Sequence, residues 1–337
     1  MSGADAVRSA ARTPPSDGHP LHAWSSDHHA LELPPGHPFP IAKYRALREK
    51  LLAEGVLAPG HVHASEPAPD AWLLLVHAAD YVDRIERGAL GAQERLRLGL
   101  PWSAPLVTRA RAAVYGTVMA ARAALVHGVA GNLAGGTHHA YRDRAEGYCL
   151  FNDMAVAIEV LRAERRIARP FVADLDVHQG NGTAAIHASD PAVFTFSMHG
   201  EANYPTPKER SSLDVELALD CGDGAFLAAL DAHMPAALDA HAPDLVFYQA
   251  GVDGLKEDRF GRLALTHAGL VERDRRVFRW CEERGLPVVI VLGGGYGRPL
   301  SATIDACANL WREAREARRR RPAVHAVHDP TTAFPPA

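Results

Sequence analysis

The sequence of 337 residues lacks several features that mark whole classes of protein. Its four cysteines, at positions 149, 221, 281 and 307, form no Cys-x-x-Cys pair, which argues against a disulfide framework and a cysteine-based zinc site. No run approaches the ~18 consecutive apolar residues that span a bilayer. The first twenty residues have no apolar centre of the kind found in secretory signals. We therefore predict a cytoplasmic protein that has no membrane partner.

The sequence also lacks an excess of positively charged residues. There are 36 lysines and arginines against 40 aspartates and glutamates, for a formal net charge of −4. This balance argues against binding of nucleic acid through bulk positive charge. The four consecutive arginines at 318–321 are interpreted as the solvated end of a helix, where cations are favourable. Nucleic acid is therefore not an expected partner, and the oligomeric state is left open.

Histidine, by contrast, is abundant, with 19 residues. It is the commonest metal ligand and the usual acid or base near neutral pH. Hydrophobic residues make up 47% of the chain, enough to build a sizeable core, and the composition argues against wholesale disorder. The question for the sequence is therefore which histidines perform chemistry.

The hydrophobic pattern alternates between short and long segments. Short, nearly continuous apolar runs occupy 72–77, 171–178, 192–199, 244–253 and 287–296. Longer helix-like segments occupy 104–127, 150–165, 224–240 and 266–284. Buried strands that alternate with helices predict a single three-layer αβα domain with a mostly parallel central sheet. We place this domain at 21–320, with a disordered N-terminal tail at 1–20 and a C-terminal tail at 321–337.

Polar, histidine-rich or glycine-rich residues follow the predicted strands. They are His77, Asp176, His178, His199, Asp253 and the segment 293–296. In open parallel sheets, ligands bind outside the carboxyl ends of the strands. These separate segments are therefore expected to line a single crevice.

The segment Asp174-Leu175-Asp176-Val177-His178 is the strongest local signal for a metal. In a strand, its three polar side chains would share one face, and a buried face of this kind needs a compensating charge. Asp253 offers a further ligand, so Asp176, His178 and Asp253 could hold a catalytic zinc ion with one open position. Iron(II) fits the same donors. Two alternatives remain: a buried hydrogen-bond network without metal, and a turn role for Asp253 before Gly254.

The number of metal ions follows from two other positions. Gly180 and Leu255 stand where dinuclear manganese sites of the arginase type carry additional aspartates. Because both carboxylates are absent, we expect a single metal ion.

A histidine pair follows two glycines in Gly135-Gly136-Thr137-His138-His139. The glycines permit tight turns that could bring both imidazoles into the crevice, where they would act as base and proton donor. Asp174 and Asn181 could each accept a hydrogen bond from one imidazole. The alternative is a solvent-exposed histidine pair.

Tyr296 ends the segment Gly293-Gly294-Gly295-Tyr296. Its hydroxyl could polarise a substrate carbonyl from the side opposite the metal. The alternative is a phosphate-binding glycine loop with a packing tyrosine, which usually includes a lysine that this segment lacks.

Five motifs together resemble the zinc-dependent histone deacetylase superfamily. They are GGTHHA at 135–140, GYCLFND at 147–153, DLDVHQGNG at 174–182, AGVDG at 250–254 and GGGY at 293–296. The similarity runs from about His28 to about Arg312. The segments HPFP at 37–40 and NYP at 203–205 are most similar to the class IV branch and its bacterial relatives.

This resemblance implies the arginase/deacetylase fold and a role for each motif residue. Zinc would be held by Asp176, His178 and Asp253, with His138 and His139 as the catalytic pair and Tyr296 polarising the carbonyl. The substrate channel would be formed by Gly147, Tyr148 and Tyr204, with Gly147 accepting the substrate amide N–H. A structural potassium ion would lie near Asp174, Asp176, His178, Ser197 and Met198.

Two departures limit the resemblance. Asn181 stands where class I members carry aspartate, and no clear counterpart of their rim aspartate is present. The implied function is a lysine deacylase that removes acetyl or longer groups from Nε-acyl-lysine in proteins or peptides by attack of a metal-activated water. The alternatives are a deacetylase of small acylated amines such as acetylpolyamines, and a non-catalytic binding module on the same fold.

Overall fold

The structure is a computed structural model that describes residues 19–322. The tails predicted at 1–20 and 321–337 lie almost entirely outside the described residues, so the domain boundaries stay predictions. Among the described residues, no helix combines the length and the apolar character that a membrane span requires.

The described strands form one eight-stranded sheet in which every neighbouring pair is parallel. The strands are β1 His22–Ser25, β2 Val62–Ala64, β3 Val129–Asn132, β4 Pro170–Asp174, β5 Phe194–Gly200, β6 Leu213–Leu217, β7 Leu245–Gln249 and β8 Val288–Val291. Their spatial order is β2-β1-β3-β8-β7-β4-β5-β6. The predicted α/β fold with a parallel central sheet is confirmed.

Helices connect these strands. They are α1 Ala42–Ala53, α2 Asp70–Leu73, α3 Ala79–Glu86, α4 Ala92–Leu98, α5 Ala104–His127, α6 Asp153–Ala163, α7 Asn181–His187, α8 Asp223–His241, α9 His267–Glu283 and α10 Leu300–Arg320. Helix α5 coincides with the predicted segment 104–127, because its start is marked by Ser103, whose hydroxyl accepts the Leu106 N–H, and its end by Gly128.

Two hydrophobic cores cover the two faces of the sheet. In β7, Val246 and Tyr248 pack with residues of α8, α9 and α10, whereas Leu245 and Phe247 pack with residues of α5 and α6. Alternate residues of a strand point to opposite faces, so a strand that is apolar throughout must be covered on both sides. This arrangement produces the three layers expected from the apolar runs.

One predicted strand is wrong. Residues 72–77 form the end of α2 and a series of turns, so His77 follows a helix and not a strand. Leu73 and Val76 are fully buried, whereas Leu74 and Leu75 are 47% and 43% exposed. Buried residues therefore recur at a spacing of three, as in a helix. The amino-acid sequence of this segment, in contrast, is a continuous apolar run.

The predicted strand at 171–178 is also too long. Strand β4 ends at Asp174, and the chain beyond it is a loop in which each aspartate accepts the backbone N–H two residues later. Asp174, Asp176 and His178 still lie on one side of the chain while Leu175 and Val177 pack in the core, although local side-chain to backbone hydrogen bonds replace the strand ladder after Asp174.

The basic end of α10 differs from its predicted solvated state at two of the four arginines. Arg321, which follows the helix, is half-buried and donates a hydrogen bond to the Leu286 carbonyl. Arg319 and Arg320 are exposed and pair with Glu316 and Glu282. Arg318 is instead buried and donates hydrogen bonds to the carbonyls of Pro20 and Pro322. Its guanidinium therefore joins the two ends of the described chain.

Candidate metal and catalytic centre

The site forms where the loops after four neighbouring strands meet. Strands β3, β8, β7 and β4 are consecutive in the sheet, and all point the same way. The loops that follow them carry the histidine pair, the glycine segment with Tyr296, Asp253 and the Asp-x-His segment. The expected convergence is therefore present for these four segments. His77 and His199 do not line the cavities at this site: both are buried, His77 between the backbones of Tyr141 and Asn152 and His199 beside Ser197.

A buried cluster of three side chains has the spacing of a metal site. His178 Nδ1 lies 3.1 Å from Asp176 Oδ1 and 3.1 Å from Asp253 Oδ2. The ligand atoms of all three residues lie within 4.8 Å of one another, and all three residues are buried. Ligand atoms at zinc-bond distance from one tetrahedral ion would be roughly 3.3–3.5 Å apart. The residues present therefore fit a zinc ion.

Backbone groups hold the two carboxylates in this arrangement. The Gly294 N–H donates to Asp176 Oδ2 at 2.7 Å, and the Val177 N–H donates to Asp253 Oδ1 at 3.0 Å. A Cβ at Gly294 would lie 1.8 Å from Asp253 Oδ2, so only glycine fits there. Backbone N–H groups thus hold both oxygens of Asp176 and one oxygen of Asp253, and one oxygen of each carboxylate faces the His178 ring.

A second group of potential ligands lies elsewhere. Glu159, His187 and Asp190 are also close enough to hold an ion. However, Arg162 Nη1 already lies 3.0 Å from Glu159 and 2.5 Å from Asp190. A resident guanidinium therefore compensates these carboxylates, and the cluster around Asp176 is the better metal site.

The histidine pair stands beside the metal cluster with both rings buried. His138 Nδ1–H donates to Asp174 Oδ2 at 2.7 Å, and His139 Nδ1–H donates to Asn181 Oδ1 at 2.6 Å. The two ring centroids are 4.1 Å apart, and His138 Nε2 lies 4.0 Å from Asp176 Oδ1. The solvent-exposed alternative for the pair does not apply.

The two imidazoles differ in their protonation. Burial lowers the pKa of His138, but the charges of Asp174 and Asp176 outweigh it and raise this pKa to about 9. Burial and the neighbouring imidazoles of His138 and His178 hold the pKa of His139 well below its usual value. The two shifts have opposite directions, which favours the protonated form of His138 and the neutral form of His139, as suits an acid and a base respectively.

Two cavities meet the site: a small one at the cluster of Asp176, His178 and Asp253, and a larger outer one. Tyr296 lines both of them. Its backbone N–H donates to Asp258 Oδ2 at 2.6 Å, and its ring packs against Phe260 with centroids 5.0 Å apart. Burial raises the pKa of Tyr296 well above its usual value. The hydroxyl is therefore protonated and able to donate a hydrogen bond.

The predicted channel residues line the cavity that leads to this centre. The cavity has a volume of about 560 Å³, and its walls include Gly147, Tyr148 and Tyr204 together with His139 and Tyr296. Gly147 has a φ of +56°, and a Cβ there would come within 2.5 Å of the His139 ring. The absence of a side chain at Gly147 therefore permits the cavity wall to approach His139 closely.

The residues predicted to hold potassium also come together. Asp174 on β4 is paired in register with Ser197 on β5, and Met198 is the residue after Ser197. Asp176 and His178 lie on the loop directly after β4. Carboxylate, hydroxyl and backbone oxygens of this kind suit a hard cation. The assignment of potassium stays a prediction.

Three further residues shape the site without a predicted role. Asp153 accepts hydrogen bonds from the N–H groups of Gly136 and Thr137 at 3.0 and 2.7 Å, and so holds the loop before the histidine pair. Lys43 is buried behind the glycine segment, and Glu146 lies behind Asn181. The sequence could have indicated Asp153 as a site residue, because it ends the motif GYCLFND. No motif includes Lys43, so the sequence carried no signal for it.

Comparison with known proteins agrees with this geometry. Residues 37–313 match the Histone deacetylase domain. An uncharacterized protein of Picosynechococcus sp. is 44% identical over 284 residues, covering 84% of this chain and 95% of that protein. Histone deacetylase 2 of Arabidopsis thaliana is 30% identical over 287 residues, covering 82% and 74% respectively.

A solved structure shows the same fold. The crystal structure of a histone deacetylase homologue from Aquifex aeolicus superposes with a TM-score of 0.77 at 26% identity, covering 88% of this chain and 84% of that chain. The sequence match, the shared fold and the arrangement of the five motifs lead to one conclusion: the chain belongs to the histone deacetylase family and has its arginase/deacetylase fold.

Proposed function

We propose that this protein is a zinc-dependent lysine deacylase that hydrolyses the amide of short Nε-acyl-lysines, with acetyl preferred, in proteins or peptides. One observation carries the proposal. A single small cavity is lined at once by the carboxylate–histidine cluster, the histidine pair and Tyr296. Metal ligands, proton-transfer groups and a hydrogen-bond donor can therefore act on one substrate carbonyl.

The metal would be held by Asp176, His178 and Asp253. When bound, it would supply a Lewis acid that polarises the acyl carbonyl and makes a coordinated water acidic at neutral pH. Zinc is our first assignment, and iron(II) is compatible with the same oxygen and nitrogen donors.

The chain's own residues would carry the remaining steps. His139 Nε2 takes the proton from the attacking water, and Tyr296 donates a hydrogen bond to the developing oxyanion, a contact worth about 2.7–4 kcal/mol. His138, whose hydrogen bond to Asp174 stabilises its protonated form, gives a proton to the leaving nitrogen as the C–N bond breaks. The products are a carboxylic acid and the free lysine amine.

The size of the inner cavity supports a short acyl group. The cavity at the metal cluster has a volume of about 60 Å³, several times the roughly 10–15 Å³ needed for one water-sized group. A second, largely apolar cavity of about 70 Å³ shares Phe39 and Tyr148 with it as lining residues. Longer acyl chains would have to enter that second space, so their hydrolysis should be slower.

The charge at the cavity mouth argues against acetylpolyamines as substrates. Arg97 and Arg262 line the outer cavity and are exposed, and neither forms an ion pair with any other residue in the range 19–322. Two unneutralised cations would repel a polycationic substrate. A lysine within a neutral or acidic peptide segment fits this mouth better.

The cellular location is likewise a proposal. All four cysteines lie among the described residues and are free. Free thiols fit the reducing cytoplasm that the sequence predicts.

A panel of substrates would test the proposed function. Acyl-lysine peptides from acetyl to myristoyl and a set of acetylpolyamines would be compared, with and without a chelator, and zinc or iron(II) would then be added back. We expect metal-dependent turnover that is fastest for acetyl-lysine peptides. Faster turnover of acetylpolyamines would favour the small-amine alternative, and the absence of both metal and hydrolysis would favour a binding module.

A further inference from the structure

Glu146 lies behind the histidine pair and connects it to the channel wall. Its Oε1 accepts hydrogen bonds from Asn181 Nδ2 at 2.8 Å and from the Tyr204 hydroxyl at 2.5 Å. Its Oε2 lies 3.5 Å from Arg144 Nε, and the side chain is 14% exposed. The carboxylate is thus enclosed by three donors.

These contacts determine which way the Asn181 amide points. A carboxylate only accepts hydrogen bonds, so the NH₂ of Asn181 must face Glu146. The amide oxygen then faces His139 Nδ1, at 2.6 Å. His139 must therefore carry its proton on Nδ1, which leaves a lone pair on Nε2.

We propose that Glu146 is a positioning residue that locks the Asn181 amide and thereby sets the tautomer in which His139 acts as a base. The effect of Glu146 on turnover rests on the proposed function, because it assumes that His139 is the base. An aspartate partner, as His138 has in Asp174, is an acceptor at both oxygens and needs no such lock. Asparagine can present either end, and a flipped amide would move the His139 proton to Nε2, where it blocks proton uptake.

One neighbour supports the same orientation. The Tyr141 hydroxyl lies 3.1 Å from Asn181 Nδ2 and donates to Glu209 Oε1 at 3.1 Å. Because it donates to Glu209, it accepts from Asn181. A hydroxyl can rotate, however, so Tyr141 constrains the amide less strictly than Glu146 does.

The kinetic test uses Glu146→Leu, which removes the acceptor. General-base catalysis contributes about 10²–10⁴-fold, and Tyr141 retains part of the orientation, so we expect kcat to fall by roughly 10- to 100-fold. Metal content should change little. The control is Glu159→Leu, which removes another half-buried glutamate that pairs with an arginine, at 3.0 Å from Arg162, away from the site.

A second substitution distinguishes a positioning role of Glu146 from a general structural effect of Glu146→Leu. In the Glu146→Leu background, Asn181→Asp restores a partner that only accepts, so kcat should recover most of its loss. Asn181→Asp alone places two carboxylates at the 2.8 Å contact and should be impaired. If Asn181→Asp fails to rescue Glu146→Leu while both proteins fold and bind metal, the proposal is wrong.

A direct measurement needs no substrate. Long-range ¹H–¹⁵N spectra of metal-free protein, assigned with His139→Ala, would show which ring nitrogen carries the His139 proton. We expect Nδ1–H in wild type, a mixed or Nε2–H ring in Glu146→Leu, and Nδ1–H again in the double variant. An unchanged Nδ1–H ring in Glu146→Leu would overturn the inference. Failure of wild type to hydrolyse any acyl-lysine would instead overturn the proposed function.

Discussion

Lys43 and Gly293 are separated by 250 positions and joined by a hydrogen bond of 3.1 Å from the lysine Nζ to the glycine carbonyl. The lysine Nζ also lies 5.5 Å from the ring centroid of Tyr296, at the end of the same glycine segment. Burial opposes the charge of Lys43, but nearby groups that include Asp253 and Asp176 outweigh it and raise its pKa. A buried cation on α1 therefore holds the segment that carries the proposed carbonyl-polarising hydroxyl.

Replacing this lysine should impair turnover. In Lys43→Met the Gly293 carbonyl loses a hydrogen bond to a charged donor, a contact worth about 1.5–3 kcal/mol. We expect kcat on an acetyl-lysine peptide to fall about tenfold, because Tyr296 is held less firmly. Lys50→Met, which removes a surface lysine from the same helix, is the control. Wild-type kcat in Lys43→Met would show that the bond does not position the loop.

The metal ligands should be separable from the second acidic cluster. We expect His178→Ala and Asp253→Asn to lose the bound metal, measured by elemental analysis, and to lose the rise in melting temperature that added zinc gives the wild type. His187→Ala, in the cluster already occupied by Arg162, should keep the full metal content. Metal loss in His187→Ala with retention in His178→Ala would reverse the assignment.

The catalytic residues should affect turnover without affecting metal content. His139→Ala removes the proposed base and should lower kcat by about 10²–10⁴-fold. Tyr296→Phe removes one donor to the oxyanion and should lower kcat by about 10²–10³-fold. Tyr115→Phe, a tyrosine that stacks on Trp72 instead of lining the cavity, is the control. Turnover at the wild-type rate in either site variant would refute the role assigned to it.

Acid should destabilise the fold through buried neutral histidines. His77 Nδ1–H donates to the Tyr141 carbonyl at 3.0 Å, and its Nε2 accepts the Asn152 N–H at 3.0 Å. Burial lowers the pKa of His77 from 6.5 to about 4. Between these values, the unfolded chain binds a proton that the folded chain does not. The free energy of unfolding should therefore fall as pH drops through this window, by up to about 1.4 kcal/mol per pH unit for this residue.

Urea unfolding at pH values from 7.5 to 4.5 would measure this dependence. His77→Gln retains a donor and an acceptor but does not titrate, so its stability should fall less steeply than that of the wild type. Identical slopes in the two proteins would show that His77 does not contribute. His187 and His199, whose pKa values burial also lowers to about 4, should keep the remaining slope positive.

The sequence by itself determined the fold class and predicted which side chains lie together at the carboxyl edge of the sheet. Apolar runs separated by long helical segments were sufficient for a parallel α/β sheet, and α5 was predicted at its observed bounds. The motifs named the metal cluster and both imidazole partners, which the structure brings together. These features succeed because periodic burial and clustered polar groups are properties of local sequence.

Several elements were missed for physical reasons. Strands β1, β2 and β3 contain three or four residues each, too few to show a period of two. Strand β6, LDVEL, is mostly half-buried at the edge of the sheet, so its pattern is weak. At 72–77 the apolar letters were continuous, and only the burial of Leu73 and Val76 in three dimensions distinguishes a helical turn from a strand.

Only the tertiary structure decided which groups contact the proposed catalytic residues from outside their motifs. Glu146 meets Asn181 across 35 positions, and Lys43 meets Gly293 across 250. The order of the strands brings the first helix and the loop after β8 together, and no local pattern encodes that order. The sequence therefore identifies candidate reactive side chains, whereas the packing of distant segments determines their burial, hydrogen-bond partners and orientation.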